Sequence, residues 1–389
     1  MEDLENMENK IINNLFFEKK LGKGSFGVVY LTSNTKENTK KTATKVFSRT
    51  IIENNIKQLD YLKTEISLLQ TLDHPNIVKF DSIMKTKKKI LLSMEFCNGG
   101  GLDKALEKYQ KKFGKPFSEE IVQYLMRQII DAFNYIHSQS VIHRDIKLEN
   151  ILINYETEKD KEEFNLMKST VKICDFGFSC SIKNGKLFSS VGTPINMDPI
   201  ILKKKHSKGK LKHLGYDQKA DIWSLGTICY EMIIGEYAFD AEDMNELVEK
   251  IEKGTYTVPT SLSSEIVSFI NGMLQYDPQK RLSIYELIKH PFLTKEVKDF
   301  HPINLEKVSS LDNSGIKMNI KNNKSIWAIF NADDEKKLVS INRKNALREE
   351  DLAKINFDDL MLPSEGIPGN PVVKKNEEEE KEKNNNEDK

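Results

Sequence analysis

The chain has 389 residues, and its 59 lysines and arginines balance its 59 aspartates and glutamates. A formal net charge of zero gives no overall attraction to nucleic acid or to an anionic membrane, so we expect no nucleic-acid partner. Four scattered cysteines without a C-x-x-C pair, and histidines without zinc-like spacing, indicate a reducing compartment and no structural zinc.

The N-terminal residues MEDLENMENK are acidic, whereas a secretory signal would begin with basic residues and continue with an apolar run. No apolar stretch reaches the length that spans a bilayer. We therefore expect a protein of the cytoplasm or nucleus without a transmembrane segment.

The first part of the chain favours β-strands. FFEKKLGKGSFGVVYL predicts a strand, a glycine turn and a second strand, and KTATKVF predicts a third. Apolar residues at helical spacing over 56–72 predict a helix that stops before the proline of DHPN. KILLSMEF predicts a buried strand, so this strand-rich part contains one predicted helix.

The pattern becomes helical after CNGGG. Ser118 is a candidate N-cap, and the apolar residues over 121–136 repeat at helical spacing. Mostly helical patterns continue to Leu293. We therefore predict an α+β fold with two lobes, and clefts between lobes are common ligand sites.

The predicted boundaries follow from these changes in pattern. They are an N-terminal extension at 1–15, a small lobe at 16–94, a hinge at 95–101, a larger lobe at 102–293, a C-terminal extension at 294–361 and a charged tail at 362–389. The tail has few large apolar groups, which predicts disorder.

Gly22, Gly24 and Gly27 form a G-x-G-x-x-G pattern. This pattern alone fits a dinucleotide fold, a nucleotide-covering hairpin or a plain turn. A dinucleotide site needs a helix after the glycines, whereas the sequence here continues with the β-favouring VVY. We therefore favour a hairpin whose backbone N–H groups approach phosphates.

Lys45 lies on the third predicted strand, and Glu65 lies on the predicted helix between the apolar Leu62 and Leu69. The Glu65 carboxylate therefore shares the inward side of the helix and needs a cation. Lys45 is the nearest candidate, and such a pair would present its ammonium group to phosphate oxygens. For this motif alone, an ordinary surface lysine is an equally good interpretation.

The order of these features, followed by HRDIKLEN, DFG and YDQKADIWSLG, resembles the eukaryotic protein kinase family over about residues 16–293. The resemblance implies the two-lobed protein kinase fold and transfer of the γ-phosphoryl group of ATP, with Mg²⁺, to protein substrates. DIKLEN and the later GTP are similar to the serine/threonine branch, and DFGF is similar to calmodulin-dependent-kinase-related and autophagy-initiating kinases.

The resemblance also implies a role for each polar residue of the site. Asp145 would accept or orient the proton of the substrate hydroxyl, and Lys147 would neutralise the transferring phosphate. Asn150 and Asp175 would supply oxygen ligands to Mg²⁺.

An adenine and phosphate pocket is implied as well. Its expected residues are Leu21, Gly22, Gly24, Gly27, Val29, Ala43, Lys45, Met94, Glu95, Cys97 and Leu152. Gly101 stands where the family often has an acidic or polar residue that contacts the ribose, and Asp103 is near enough to substitute. Glu149 and Glu231 match positions that contact basic substrate residues in some relatives.

Arg144 beside the implied catalytic aspartate calls for an anionic partner. A phosphate on Ser189, added by an upstream kinase or by autophosphorylation, would pair with Arg144 and order this segment. Ser190 is the second choice, and an unmodified exposed serine fits the sequence equally well.

One departure from the family lies in GTPINMDPI. Asp198, Pro199 and Ile200 replace Ala-Pro-Glu, whose glutamate pairs with an arginine that matches Arg281. Either Asp198 supplies a carboxylate from two positions away, or the segment is looser.

Two other classes of function stay open at this point. A pseudokinase or nucleotide-binding scaffold would act by conformation, and Gly101 and Ile200 favour it. A small-molecule kinase of related fold is disfavoured, since GTP and the Asp221 motif belong to relatives that bind peptides.

Overall fold

The computed structural model describes residues 2–24, 27–36, 40–182, 187–207 and 215–295, and the backbone of residues 339–342. The strands are β1 (Ile11–Ile12), β2 (Leu15–Lys23), β3 (Val28–Asn34), β4 (Lys41–Ser48), β5 (Phe80–Lys85), β6 (Lys89–Glu95), β7 (Gly100–Gly101), β8 (Val141–Ile142), β9 (Ile151–Tyr155), β10 (Ser169–Ile173), β11 (Cys180–Ser181) and β12 (Val339–Asn342).

The helices are α1 (Glu2–Glu5), α2 (Arg49–Glu53), α3 (Ile56–Thr71), α4 (Leu102–Phe113), α5 (Glu119–Ser138), α6 (Glu158–Glu163), α7 (Pro199–His206), α8 (Lys219–Ile234), α9 (Met244–Lys253), α10 (Ser264–Met273), α11 (Ile284–Ile288) and α12 (Pro291–Thr294). None of the helices in the described part of the chain is long and apolar enough to cross a bilayer.

The N-terminal lobe is an antiparallel sheet with the strand order β1-β2-β3-β4-β6-β5-β12. Because side chains alternate between the two faces of a strand, each face has its own core. On the inner face, Phe47 of β4 packs with Leu62 and Ile66 of α3. On the outer face, Val46 packs with Tyr30 of β3.

The prediction of a single helix in this lobe was wrong, because α1 and α2 form as well. Three strands of this sheet, β1, β5 and β12, were also not predicted. β1 and β2 form a hairpin whose turn residues, Asn13 and Asn14, have φ angles of 49° and 66°. Asparagine tolerates this left-handed conformation, which a two-residue hairpin turn requires.

The C-terminal lobe is built around α5 and α8. Ser118 caps α5 by accepting a hydrogen bond from the backbone N–H of Ile121 (3.5 Å), as its sequence position predicts. Helix α8 is buried along nearly its whole length and packs against α5 and α10. A helix that is apolar all round belongs in the interior of a lobe.

The segment between the lobes runs from Glu95 to Gly101 and is attached to the C-terminal lobe. Gly101 of β7 pairs with Leu152 of β9. Asn98 accepts a hydrogen bond from the backbone N–H of Tyr155 (2.8 Å). The predicted disordered tail lies outside the described residues, as does most of the C-terminal extension, of which β12 pairs antiparallel with β5.

Candidate active site

The glycine-rich segment is a hairpin of β2 and β3, in agreement with the sequence pattern. Gly22 pairs with Val29, and the backbone N–H of Gly24 donates to the carbonyl of Gly27 (2.9 Å). A Cβ atom at Gly27 would lie 2.4 Å from the backbone oxygen of Val46, so a larger residue would push β3 away from β4. The glycine therefore permits the close approach of the two strands.

Lys45 of β4 joins the two lobes. Its ammonium nitrogen lies 2.7 Å from Glu65 Oε1 on α3 and 3.2 Å from Asp175 Oδ1 of DFG. Burial favours the neutral amine, but the carboxylates of Asp175 and Glu65 outweigh it, and the pKa of Lys45 lies above its usual value. Lys45 therefore stays charged at neutral pH.

DFG turns inward directly after β10. Asp175 has a φ of 61°, and its Oδ1 accepts a hydrogen bond from the backbone N–H of Gly177 (3.4 Å). Phe176 is fully buried against the ring of His143, with 5.1 Å between centroids. Burial raises the pKa of Asp175, but Lys45 outweighs this effect and lowers it, so the carboxylate is ionised.

A buried aspartate holds the HRD loop in place. Asp221 accepts hydrogen bonds from the backbone N–H groups of His143 (2.9 Å) and Arg144 (3.0 Å), and its Oδ2 lies 2.9 Å from His137 Nε2. His143 Nε2 lies 3.1 Å from the carbonyl oxygen of Cys174, just before DFG. His143 thus supports the loop. The supporting role of Asp221 was not predicted, and the only signal for it in the sequence is its place in DIWSLG.

Four polar side chains converge beside this loop. Asp145 Oδ1 accepts a hydrogen bond from the Thr193 hydroxyl (2.8 Å), and its Oδ2 lies 3.2 Å from Lys147 Nζ. Lys147 also donates to the Thr193 hydroxyl (3.1 Å). The Asn150 amide donates to Asp145 Oδ2 (3.0 Å). The HRD loop and the GTP segment are therefore joined through one carboxylate.

Residues 16–293 match the family model described as the protein kinase domain. The chain belongs to the protein kinase family. Together with the relatives below, this confirms the fold and the serine/threonine branch. The finer placement among calmodulin-dependent-kinase-related and autophagy-initiating kinases stays a prediction.

Three relatives illustrate the similarity. An Aurora kinase of Dictyostelium discoideum is 33% identical over 74% of this chain and 67% of its own length. Calcium-dependent protein kinase 5 of Plasmodium berghei is 33% identical over 77% of the chain and 50% of its own length. CBL-interacting protein kinase 5 of Oryza sativa is 31% identical over 75% and 59%. The chain thus spans about half to two thirds of these relatives.

Apolar residues of the kinase expected around adenine come from both lobes. Ala43 pairs with Met94 across β4 and β6, and each is 9% exposed. Val29 on β3 and Leu152 on β9 are half-buried, whereas Leu21 on β2 is 40% exposed. Leu21 is thus the most open member of this group.

The hinge side chains are occupied. Glu95 forms an ion pair with the buried Lys172 of β10 (2.9 Å), a contact that the sequence did not predict. Cys97 is buried, which raises the pKa of its thiol to about 12. The backbone groups of these two hinge residues are therefore the parts suited to a purine.

Asp103 fills the space beside Gly101. A Cβ atom added at Gly101 would lie 2.3 Å from Asp103 Oδ1. The side chain of Asp103 therefore occupies the place that a larger residue at position 101 would take.

Burial raises the pKa of Glu231 to about 7, and the negative charges of Glu149 and Asp103 act in the same direction. Three acidic residues of the kinase thus lie near one another.

Arg144 contacts the activation segment. It donates to the hydroxyl of Ser189 (2.6 Å) and to the carbonyl oxygen of Phe178. The hydroxyl oxygen of Tyr216 lies 3.4 Å from Arg144 Nη1 and 3.4 Å from Ser189 Oγ. The backbone of Tyr216 pairs with that of Leu187. Of the two candidate serines, Ser189 is the one whose hydroxyl reaches Arg144.

The question left open at GTPINMDPI is answered by Asp198. Its Oδ2 lies 2.7 Å from Arg281 Nη1, and its Oδ1 accepts hydrogen bonds from the backbone N–H groups of Ile200 and Ile201 at the start of α7. Both charged side chains are almost fully buried. The segment that ends the activation loop is therefore firmly attached.

Proposed function

We propose that this kinase transfers the γ-phosphoryl group of ATP, bound with Mg²⁺, to serine and threonine hydroxyls of protein substrates through the residues described above. One observation carries the proposal: Lys45 is in contact with both Glu65 and Asp175, so the phosphate-binding groups of the two lobes meet. Protein kinases need the ion pair of this lysine with the helix glutamate, together with the DFG aspartate in position for Mg²⁺, for phosphoryl transfer.

The oxygen atoms near the catalytic loop suit a magnesium ion. The Asn150 amide nitrogen is hydrogen-bonded to Asp145, so its oxygen is the atom suited to a cation. The Asp175 side chain remains 37% exposed and ionised. One carboxylate and one amide oxygen fit Mg²⁺, which takes few protein ligands and completes its shell with phosphates and water. When bound, the ion would neutralise charge on the triphosphate.

The catalytic loop supplies the groups that act on the acceptor. Asp145 orients the incoming hydroxyl and accepts its proton, and its fixed contacts to Thr193 and Asn150 limit its rotation. Lys147, which lies between Asp145 and Thr193, neutralises the transferring phosphate. Because these contacts exist before substrate binds, little reorganisation is needed.

The alternative of a pseudokinase scaffold rested on Gly101 and Ile200. Asp103 occupies the space beside Gly101, and Asp198 supplies the carboxylate that Ile200 lacks. Asp198 therefore replaces the carboxylate that Ile200 lacks, and we infer that Asp103 stands in for the polar residue that is missing at Gly101.

The decisive experiment compares wild type with Asp145→Asn in transfer of labelled phosphate from MgATP to a generic basic protein. We expect a loss of transfer of at least about a hundred-fold, with MgADP binding by calorimetry unchanged. Asp240→Asn, at an exposed position, serves as the control and keeps wild-type activity. Full transfer by Asp145→Asn, or absence of transfer by wild type, would contradict the proposal.

We further propose that the acidic cluster of Asp103, Glu149 and Glu231 selects substrates with a basic residue near the acceptor. The raised pKa of Glu231 reflects a buried carboxylate next to two like charges, an arrangement that a cation relieves. An arginine or lysine of the substrate is the simplest source of that cation.

We propose that phosphorylation of Ser189, by an upstream kinase or by the kinase itself, orders the activation segment. The hydroxyl is exposed and already touches Arg144, so a phosphate there forms a charge-assisted pair without movement of the arginine backbone.

The free state of all four cysteines supports a reducing compartment, which we take to be the cytoplasm or the nucleus.

A further inference from the structure

The N-terminal residues before the kinase domain cover the outer face of the N-terminal lobe. Leu4 and Met7 are 5% and 1% exposed. They form one apolar cluster with residues of the sheet, namely Phe17, Val28, Tyr30, Val46 and Leu91. The outer face of this sheet would otherwise expose a continuous apolar surface to water.

Hydrogen bonds attach this segment to β2 and β3, the two strands that flank the glycine-rich turn. The buried hydroxyl of Tyr30 donates to the carbonyl oxygen of Leu4 (2.7 Å). The backbone N–H of Phe17 donates to the carbonyl of Lys10 (2.9 Å). The carboxylate of Glu8 accepts from the backbone N–H of Lys20 (2.8 Å). Residues 4–10 are therefore attached to both strands of the hairpin.

A further contact of this segment, the ion pair of Glu5 with Lys23, reaches the glycine-rich turn itself. Lys23, which lies between Gly22 and Gly24, places its ammonium nitrogen 2.5 Å from Glu5 Oε1. The pKa of Glu5 is lowered, first by this hydrogen bond and then by the charge of Lys20. A Cβ atom added at Gly22 would find nothing within 4 Å, so the backbone at this position is not held by side-chain packing on that side.

We propose that residues 4–10 are a positioning element for the nucleotide-covering hairpin, with Glu5 acting through Lys23. The inference rests on the proposed ATP site. A glycine-rich turn has many conformations, and holding it near its bound geometry reduces the entropy lost when nucleotide binds. Glu5 touches no part of the proposed catalytic groups, so its effect appears in nucleotide affinity and not in the chemical step.

A charge-swap cycle on the full chain tests this. Glu5→Lys and Lys23→Glu should each raise KM for ATP by about two- to five-fold, the range of an exposed ion pair and its reversal, with kcat and the KM for peptide unchanged. The double variant Glu5→Lys/Lys23→Glu should recover wild-type KM. Lys19→Glu, a charge reversal at an exposed position of the same strand, is the matched control and should leave KM for ATP unchanged.

A readout without nucleotide or activity separates this inference from the proposed function. In hydrogen exchange of the free protein, Glu5→Lys should speed exchange of the backbone amides over residues 20–30, while those of α5 stay protected. Failure of wild type to bind MgADP would refute the proposed function and leave this measurement intact.

Three results would overturn the inference. The first is that Glu5→Lys leaves hydrogen exchange and KM for ATP unchanged. The second is a double variant whose KM for ATP stays as high as that of Lys23→Glu, which would mean that Lys23 acts on phosphate directly. The third is a rise in KM for ATP in Lys19→Glu equal to that in Glu5→Lys. Leu4→Ser adds an independent test of the apolar anchor and should raise KM for ATP in the same way. If Leu4→Ser does not fold, the charge swap decides alone, because the Glu5 and Lys23 side chains are 41% and 48% exposed.

Discussion

Asp198 and Arg281 form an ion pair of 2.7 Å in which both side chains are almost fully buried. The same carboxylate caps α7 through its other oxygen. The family pattern that the sequence resembles has a glutamate two positions later, where this kinase has Ile200. In this kinase the N-cap residue of α7 is therefore the partner of the arginine, and one residue performs two structural tasks.

We expect Asp198→Ala to lower the free energy of unfolding by about 3–5 kcal/mol, because it leaves the Arg281 charge buried without its partner. Urea denaturation at pH 7 measures this loss. Asp243→Ala removes an exposed N-cap from α9 and should cost about 1 kcal/mol, which isolates the contribution of the ion pair.

A compensating variant sharpens this prediction. Asp198→Ala/Ile200→Glu restores the family's arrangement of carboxylate and arginine, and we expect it to regain at least about 1 kcal/mol over Asp198→Ala. If the double variant is no more stable than the single one, the loss comes from the cap and the ion-pair explanation fails.

The side chain of Asp103 occupies the space beside Gly101, and this makes a substitution there informative. Gly101→Ala should displace the Asp103 carboxylate, which is the flexible end of its side chain, at little cost to stability. If Asp103 contacts the ribose, KM for ATP should rise by about three- to ten-fold, the equivalent of one hydrogen bond.

Asp103→Ala should give the same rise, and Gly101→Ala/Asp103→Ala should not add to it. KM for 2′,3′-dideoxy-ATP, which lacks both ribose hydroxyls, should be equal in all three variants and wild type. Additive effects of the two substitutions, or an equal effect on the dideoxy substrate, would exclude a shared ribose contact.

Local pattern predicted the elements that carry the proposed catalytic groups. The spacing of Leu62 and Leu69 placed Glu65 on the inner side of α3, and the structure has it 2.7 Å from Lys45. The turn after β2 followed from glycines and the β-favouring residues behind them. These are short-range signals, which a sequence displays directly.

Contacts between distant segments were not predictable in the same way. Leu4 and Met7 resemble residues of an ordinary solvated extension until the sheet face that they cover is known. The pair of Glu95 with Lys172 joins residues far apart in sequence, and charge alone did not select it from the many lysines. A hairpin signal was nevertheless present, since two asparagines lie between Ile12 and Leu15.

Ser189 is expected to control activity through Arg144. The kcat/KM of Ser189→Ala should be lower by about ten-fold or more than that of wild type phosphorylated at Ser189, because Arg144 has no phosphate partner in the variant. The matched control is Ser190→Ala, because Arg144 donates its hydrogen bond to the hydroxyl of Ser189; this variant should keep most of the activity.

Mass spectrometry of the activated kinase should find the phosphate on Ser189, and phosphatase treatment should lower wild type to the level of Ser189→Ala. If Ser189→Ala has full activity, or if Ser190→Ala alone abolishes it, Ser189 is not the regulatory position.

Glu231 predicts a pH dependence of substrate binding. Its pKa is raised to about 7, so in the free kinase its ionised fraction rises from about one tenth at pH 6 to about nine tenths at pH 8. Only the carboxylate attracts a basic substrate residue. KM for a peptide with arginine near the acceptor should therefore fall by up to about ten-fold between pH 6 and pH 8. Ionisation of the same buried carboxylate lowers the stability of the folded kinase over this range, so substrate binding and folding stability change in opposite directions.

Two controls connect this slope to Glu231. Glu231→Gln removes the titrating group, so KM for the arginine peptide should become high and nearly independent of pH. A peptide with alanine in place of arginine should show a flat profile with wild type. Because burial and two neighbouring carboxylates cause the raised pKa, Glu149→Gln should lower the pKa of Glu231 and shift the fall in KM to lower pH. A wild-type profile that is the same for both peptides would show that Glu231 does not bind the basic residue.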